Sequence, residues 1–195
     1  MTNKRINGEK NRKYFFGGCW GPSLSNSNTE AEIDEIMLSE RSTFNDALRK
    51  WGIDAREMKL INPVVITGPI LQTEIFTLQN GQTRNKKLYR VGKDGQLRGY
   101  WNATYILGFT EKQAMLYVKK WNVYDHDVNV NTEEIFYKDI VSINVSEEII
   151  DSTPYFKFTL NVPGSASFNS GLSRNSLEEK HIQALKTLIR EKKSE

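Results

Sequence analysis

The chain contains one cysteine, Cys19, so no disulfide can form within it and a cysteine-ligated zinc site lacks its ligands. That scarcity suits a reducing compartment. Histidine is nearly as rare, with His126 and His181 as the two copies, and no third ligand stands in pattern with them. A zinc hydrolase therefore has no visible ligand set, and no metal or cofactor is expected. No apolar run approaches the ~20 residues a membrane helix needs. The apolar patch Tyr14 to Trp20 is too short for a signal-peptide core and is broken by Gly17 and Gly18. A cytoplasmic, soluble protein is the expectation. Phosphate-cradling loops are also missing. Gly17-Gly18 and Gly164 lack the lysine and the strand-to-helix setting, while Gly92, Gly95 and Gly99 belong to a hairpin.

The 195 residues fit one domain plus extensions, and an aromatic share of 11% can furnish a core. The formal net charge of +3 is too small to point to nucleic acid by itself. Its distribution is uneven. Residues 1–13 and 84–98 are basic, whereas 30–40 and 121–151 are acidic.

Residues 1–28 read as a flexible basic segment that closes in a Ser/Asn run. Its aromatic insert around Tyr14 is unusual for such a tail and could dock on the folded body or on a partner. A single domain, 29–195, follows. Thr29 with Glu32 makes a capping box, which predicts a helix over 30–51. Its stripe is Ile33, Ile36, Met37, Phe44, Ala47, Leu48 and Trp51, and Gly52 stands at the left-handed cap. Packing of this stripe on the domain's own sheet is favoured over a partner surface. Asp54 with Glu57 predicts one further short turn.

From Ile61 onward the pattern is β, with a first short strand over 64–67. The Asp94-Gly95 pair predicts a tight hairpin between 87–91 and 99–109, and 113–121 reads as the next strand. The Asn-rich stretch 123–131 reads as a loop. Tyr155 to Val162 alternates cleanly, Pro163-Gly164 turns the chain, and 165–170 reads as a last strand. Ser176 with Glu179 opens a helix over 176–192 with Leu185, Leu188 and Ile189 on its apolar face. The fold class expected is α+β: an antiparallel seven-stranded sandwich or partly open barrel, capped by the C-terminal helix and joined by the N-terminal one.

Phe136-Tyr137-Lys138-Asp139-Ile140 leads into the alternation of Val141, Ile143 and Val145, and Phe158 to Gly164 precedes the last helix. In these features the chain resembles the pleckstrin-homology-like superfold, in its bacterial and GRAM-like branches. It also resembles a group of small uncharacterised bacterial proteins, chiefly from Bacillota. The shared features there are Trp51-Gly52-Ile53-Asp54, Pro63, Gly92-Lys93-Asp94-Gly95 with Arg98, and Phe109-Thr110-Glu111-Lys112-Gln113. The resemblance covers about 30–193, carries no catalytic motif, and implies a non-enzymatic module that works through its surface.

Six residues form the candidate binding site: Lys86, Lys87, Arg90, Lys93, Arg98 and Tyr100. On a hairpin, such cations can converge on the phosphates of an anionic lipid headgroup, as the resemblance implies. Aromatics between them can stack on bases, although the small net charge disfavours nucleic acid. The plain alternative is a solvated hairpin whose lysines prevent edge-to-edge aggregation. A protein partner is the favoured expectation, with an anionic membrane surface second and an enzyme of unknown type third. Asp125-His126-Asp127 reads as an acidic turn, since adjacent strand residues face opposite ways and rarely converge on one ion. His181 reads as a partly buried histidine of a helix stripe, and Cys19 has no placed base to activate it.

Overall fold

The computed structural model describes residues 14–15, 27–58, 61–71, 73–77, 83–124, 128–150, 152–163, 168–172 and 179–194. The readings for Cys19, for Asp125-His126-Asp127 and for the His181 side chain lie outside the described positions.

Two helices stand where one was expected over 30–51: α1 (Ser27–Ser39) and α2 (Phe44–Trp51). The break has a local cause. Thr43 caps α2, accepting at Oγ1 from the Asp46 amide, while its own amide donates to Asp46 Oδ2 at 2.8 Å. This capping box uses Asp in place of the usual Glu or Gln. The helix α2 then ends at Gly52 in the left-handed region, φ +71, as its position in the sequence predicts. A 3₁₀ turn, Ala55–Glu57, follows with its own Asp54–Glu57 box.

The strands are β1 (Val64–Pro69), β2 (Thr73–Thr77), β3 (Thr83–Lys87), β4 (Tyr89–Val91), β5 (Leu97–Gly99) and β6 (Trp101–Phe109). Then come β7 (Gln113–Asn122), β8 (Val128–Phe136), β9 (Ser142–Ile150), β10 (Thr153–Asn161) and β11 (Phe168–Leu172). The chain ends in α3 (Glu179–Ser194). The fold is α+β with antiparallel sheets and a C-terminal helix. Eleven strands among the described residues exceed the seven expected, in part because two long strands are kinked. The chain bends at Leu88 and at Tyr100, which meet across the hairpin with the Tyr100 amide on the Leu88 carbonyl at 2.7 Å. The last strand is β11, and positions 165–167 of the strand expected over 165–170 lie outside the described residues.

A four-stranded sheet, β1-β6-β7-β8, forms the middle layer, and a three-stranded sheet, β11-β10-β9, packs on one of its faces through a shared core. Two small hairpins, β2-β3 and β4-β5, complete the structure, and the sheets do not close into a barrel. Alternation divides β1, β6 and β7 between two cores. On one face Tyr105, Leu107, Phe109, Leu116 and Val118 meet Leu160 of the second sheet and Leu185, Leu188 and Ile189 of α3. Each such buried aliphatic side chain contributes roughly 1.5–3 kcal/mol. The C-terminal helix therefore turns its apolar stripe inward, as the sequence predicts.

On the other face Ile106 and Tyr117 meet Ala47, Phe44 and Trp51 of α2. The N-terminal helices thus cover the face opposite α3. Gly108 permits this approach, since a Cβ there would lie 2.8 Å from the Met58 sulfur and 3.0 Å from the Trp51 ring. Trp51 also donates its indole N–H to the Leu116 carbonyl at 3.2 Å.

Candidate functional site

Five of the six candidate residues fall on two hairpins rather than one, and Tyr100 stands at the bend between β5 and β6. Lys86 and Lys87 end β3 and register with Glu74 and Thr73 of β2. Arg90 and Arg98 face each other across β4 and β5, with Lys93 in the turn between them. Directly opposed like charges destabilise a bare hairpin. Here both arginines turn toward acids and an aromatic ring from the N-terminal part of the chain.

Arg98 is 1% exposed. Its Nε and Nη2 donate to the two carboxylate oxygens of Asp34 at 2.7 and 2.6 Å. Its Nη1 and Nη2 donate to those of Asp94 at 2.9 and 2.7 Å. The buried Glu30 stands 4.0 Å from Nη1. The planar guanidinium can serve two carboxylates at once, which an ammonium cannot. Hydrogen bonds from Arg98 pull the Asp94 carboxyl down to about 2. Burial alone would lower the Arg98 pKa, but the bonds to Asp94 and Asp34 outweigh it and the net direction is upward. Gly92 leaves the space in which this cluster sits, since a Cβ there would collide with Arg98 Nη1. The Arg98 charge, expected to face an external anion, is engaged inside the fold, where it ties the hairpin to α1.

Tyr14 and Phe15 are buried in the same region, packed with Ile33, Val123 and the half-buried Tyr100. The aromatic insert docks on the body at these two residues. The Tyr14 hydroxyl donates to Glu30 Oε1 at 3.3 Å, and burial, aided by the Glu30 charge, raises its pKa to about 12. Arg90 lies 5.0 Å over the Tyr14 ring and donates to the Tyr14 carbonyl at 3.1 Å. Tyr100 packs edge-on against Phe15, with ring centroids 6.0 Å apart. So Arg90, Arg98 and Tyr100 are engaged with the chain itself, while the side chains of Lys87 and Lys93 are exposed. Lys87 lies 5.7 Å over the Tyr89 ring.

A second concavity opens where α1 hands over to α2, above β7 and β8. This elbow cleft has a volume of about 580 Å³. Its floor carries Tyr117, whose hydroxyl lies 3.1 Å from the Ser42 hydroxyl. Lys119 bridges upward to the Glu40 carboxylate at 2.9 Å and to the Glu40 carbonyl at 2.8 Å. Asp46 is held by the Thr43 cap, chiefly through the Thr43 amide, which lowers its pKa, and it also pairs with Arg49. Arg41 and Lys50 complete the wall, and neither has an ion-pair partner among the described residues. Counting Glu40, four bases face two acids.

The cleft runs out onto β8. Lys119 registers with Val130, and Trp121 with Val128, so these two valines lie on the helix-covered face of the sheet but beyond the helices. Val128, Val130 and Phe136 are 48%, 40% and 54% exposed. No family model, curated protein or solved structure matches this chain.

The sequence reading missed both features. Arg98 sits in a basic run, which looks like a solvated face, and its partner Asp34 is 64 residues away. The Val128–Asn129–Val130–Asn131 alternation is a period-2 signal, but asparagine marked it as a loop.

Proposed function

We propose that this chain is a non-enzymatic binding module, and that a protein partner seats on the helix-covered face of its middle sheet, along β8 and into the elbow cleft. One observation carries the reading. An edge strand exposes Val128, Val130 and Phe136 on one face, and Val130 lines a cleft of ligand-site size. The two stacked antiparallel sheets with α3 packed into their core fit the pleckstrin-homology-like resemblance, and such folds work mostly through their surfaces. The test places a photo-crosslinking residue at Val130 and, separately, at Arg190 on the far side of α3. One discrete adduct from position 130 and none from 190, formed in extract of the native host, supports the reading. Adducts from 190 alone contradict it.

Anionic lipid binding by the basic segment is the lesser reading. Lys87 and Lys93 remain outward for it, whereas Arg98 does not. Salt-sensitive co-sedimentation with anionic vesicles that is lost on replacing Lys87 and Lys93 supports it, and no sedimentation removes it.

A further inference from the structure

The outer edge of β8 is unpaired among the described residues, since the sheet order ends there. Its first five residues, Val128 to Thr132, carry no charge and no proline, the usual devices that keep an edge from recruiting another strand. The two acids of this strand come later: Glu133, and Glu134, which accepts a hydrogen bond from Gln113 at 2.7 Å. Basic groups lie at the opposite end. Lys119 stands beside Val130, and Arg41, Arg49 and Lys50 rise above it on the elbow. The edge is thus basic near Val130 and turns mildly acidic at Glu133 and Glu134, beyond which Lys138 lies 5.7 Å over the Phe136 ring.

We propose that this edge takes an acidic, extended segment of a partner protein as an added strand, with the segment's carboxylates against Arg41, Arg49 and Lys50. This deepens the proposed function and rests on it. Main-chain hydrogen bonds supply the affinity of such an addition, and alternate side chains supply its selectivity. One set of alternate side chains falls on the helix-covered face, where the apolar floor is Val130 and the wall is cationic. Carboxylates at that level gain charge-assisted hydrogen bonds from Arg41 and Lys50 without displacing an existing ion pair. Past Val130 the cationic wall ends and Glu133 and Glu134 follow, so the segment's acids belong at the Val130 end and apolar residues toward the exposed Phe136.

The test measures binding of two labelled nine-residue peptides to the full chain by fluorescence anisotropy. One alternates Glu with Val and the other Lys with Val. The Glu–Val peptide is expected to bind at least ten-fold tighter, and the double variant R41E/K50E to reverse that order. Both substitutions are at exposed positions, and circular dichroism checks that the variant is folded. Methylating alternate backbone amides of the peptide is expected to abolish binding, because an added strand needs those donors. Equal affinities, indifference to R41E/K50E, or undiminished binding of the methylated peptide would each overturn the proposal. So would a dimer in sedimentation velocity that Val130→Asp dissolves, because the edge then belongs to a second copy. A crosslinked partner at position 130 without Glu–Val binding sinks this inference and leaves the binding-module reading standing. No adduct at 130 sinks both.

Discussion

Arg98 and Asp34 are joined by two parallel hydrogen bonds, 2.7 and 2.6 Å long, across 64 residues of sequence. The contact links the β4-β5 hairpin to α1, and with it the N-terminal helices to the sheet. A bidentate arginine pair fixes orientation as well as distance. The same guanidinium holds Asp94 within its own hairpin, so one side chain organises both the turn and its docking.

Arg98→Ala is expected to cost about 3 kcal/mol, because it strands the buried Glu30 among uncompensated carboxylates. Arg98→Lys keeps the charge but loses the fork, and about half of that cost should remain. Urea denaturation of the two variants checks the order. A smaller loss for Ala than for Lys contradicts the clamp.

Acid should weaken the clamp in a defined window. The folded-state pKa of Asp94 is depressed to about 2. A depressed carboxylate stabilises the fold fully above its unfolded value of about 3.9, and that contribution is lost as pH falls through about 2. Asp94 is 41% exposed, so screening reduces its contribution to about 1 kcal/mol. Asp94→Asn should therefore be less stable than the parent by about that much at pH 7, with the gap closing between about pH 4 and pH 2. Urea midpoints taken across that range are the measurement. A gap that widens on acidification has the wrong sign for this account.

Thr43 divides the N-terminal helices, and its loss should be local. Thr43→Ala removes the cap of α2 and is expected to cost about 1 kcal/mol. Thr43→Ser should recover most of it. If the break instead reflects the sheet surface alone, Ala and Ser will be indistinguishable.

Gly108 marks the closest approach of the helical layer to the middle sheet. The Met58 sulfur lies 2.8 Å from where a Cβ would stand, and a methionine tip can yield. The Trp51 ring at 3.0 Å is less able to move. Gly108→Ala should cost about 1–2 kcal/mol, and Gly108→Val clearly more. Thermal melts of both variants test the layer order. No effect from Val implies that the helices sit elsewhere.

Where structure follows from local pattern, the sequence was readable. Leu185, Leu188 and Ile189 recur at helical spacing and are buried as that spacing requires. Asp94-Gly95 turns the hairpin with Gly95 at φ +75, and Gly52 caps α2 in the same region. Leu160 points into the core from the alternation around it, with Phe156 and Val162 packed against it. Tyr155, on the opposite face, is also buried, because its hydroxyl reaches the Gly95 carbonyl at 2.8 Å. That bond spans 60 residues, and no local pattern encodes it. The candidate site was less legible for the same reason. Whether Arg90 and Arg98 face water or protein depends on where Glu30, Asp34 and Tyr14 come to lie, which the hairpin's own residues do not specify. The elbow cleft exists because a helix stops at Ser39, and that stop rests on an Asp-based cap that the stripe from Ile33 to Trp51 obscures.

The binding reading stands on β8 being an open edge that a partner strand closes. Residue-resolved amide exchange over 128–136 tests this most directly, with and without the Glu–Val peptide. In the chain alone, alternate amides of β8, those turned away from β7, should exchange rapidly while their neighbours are protected, and the peptide should slow the rapid set. Uniform protection of β8 in the isolated monomer, or rapid amides that the peptide leaves unchanged, would contradict the account.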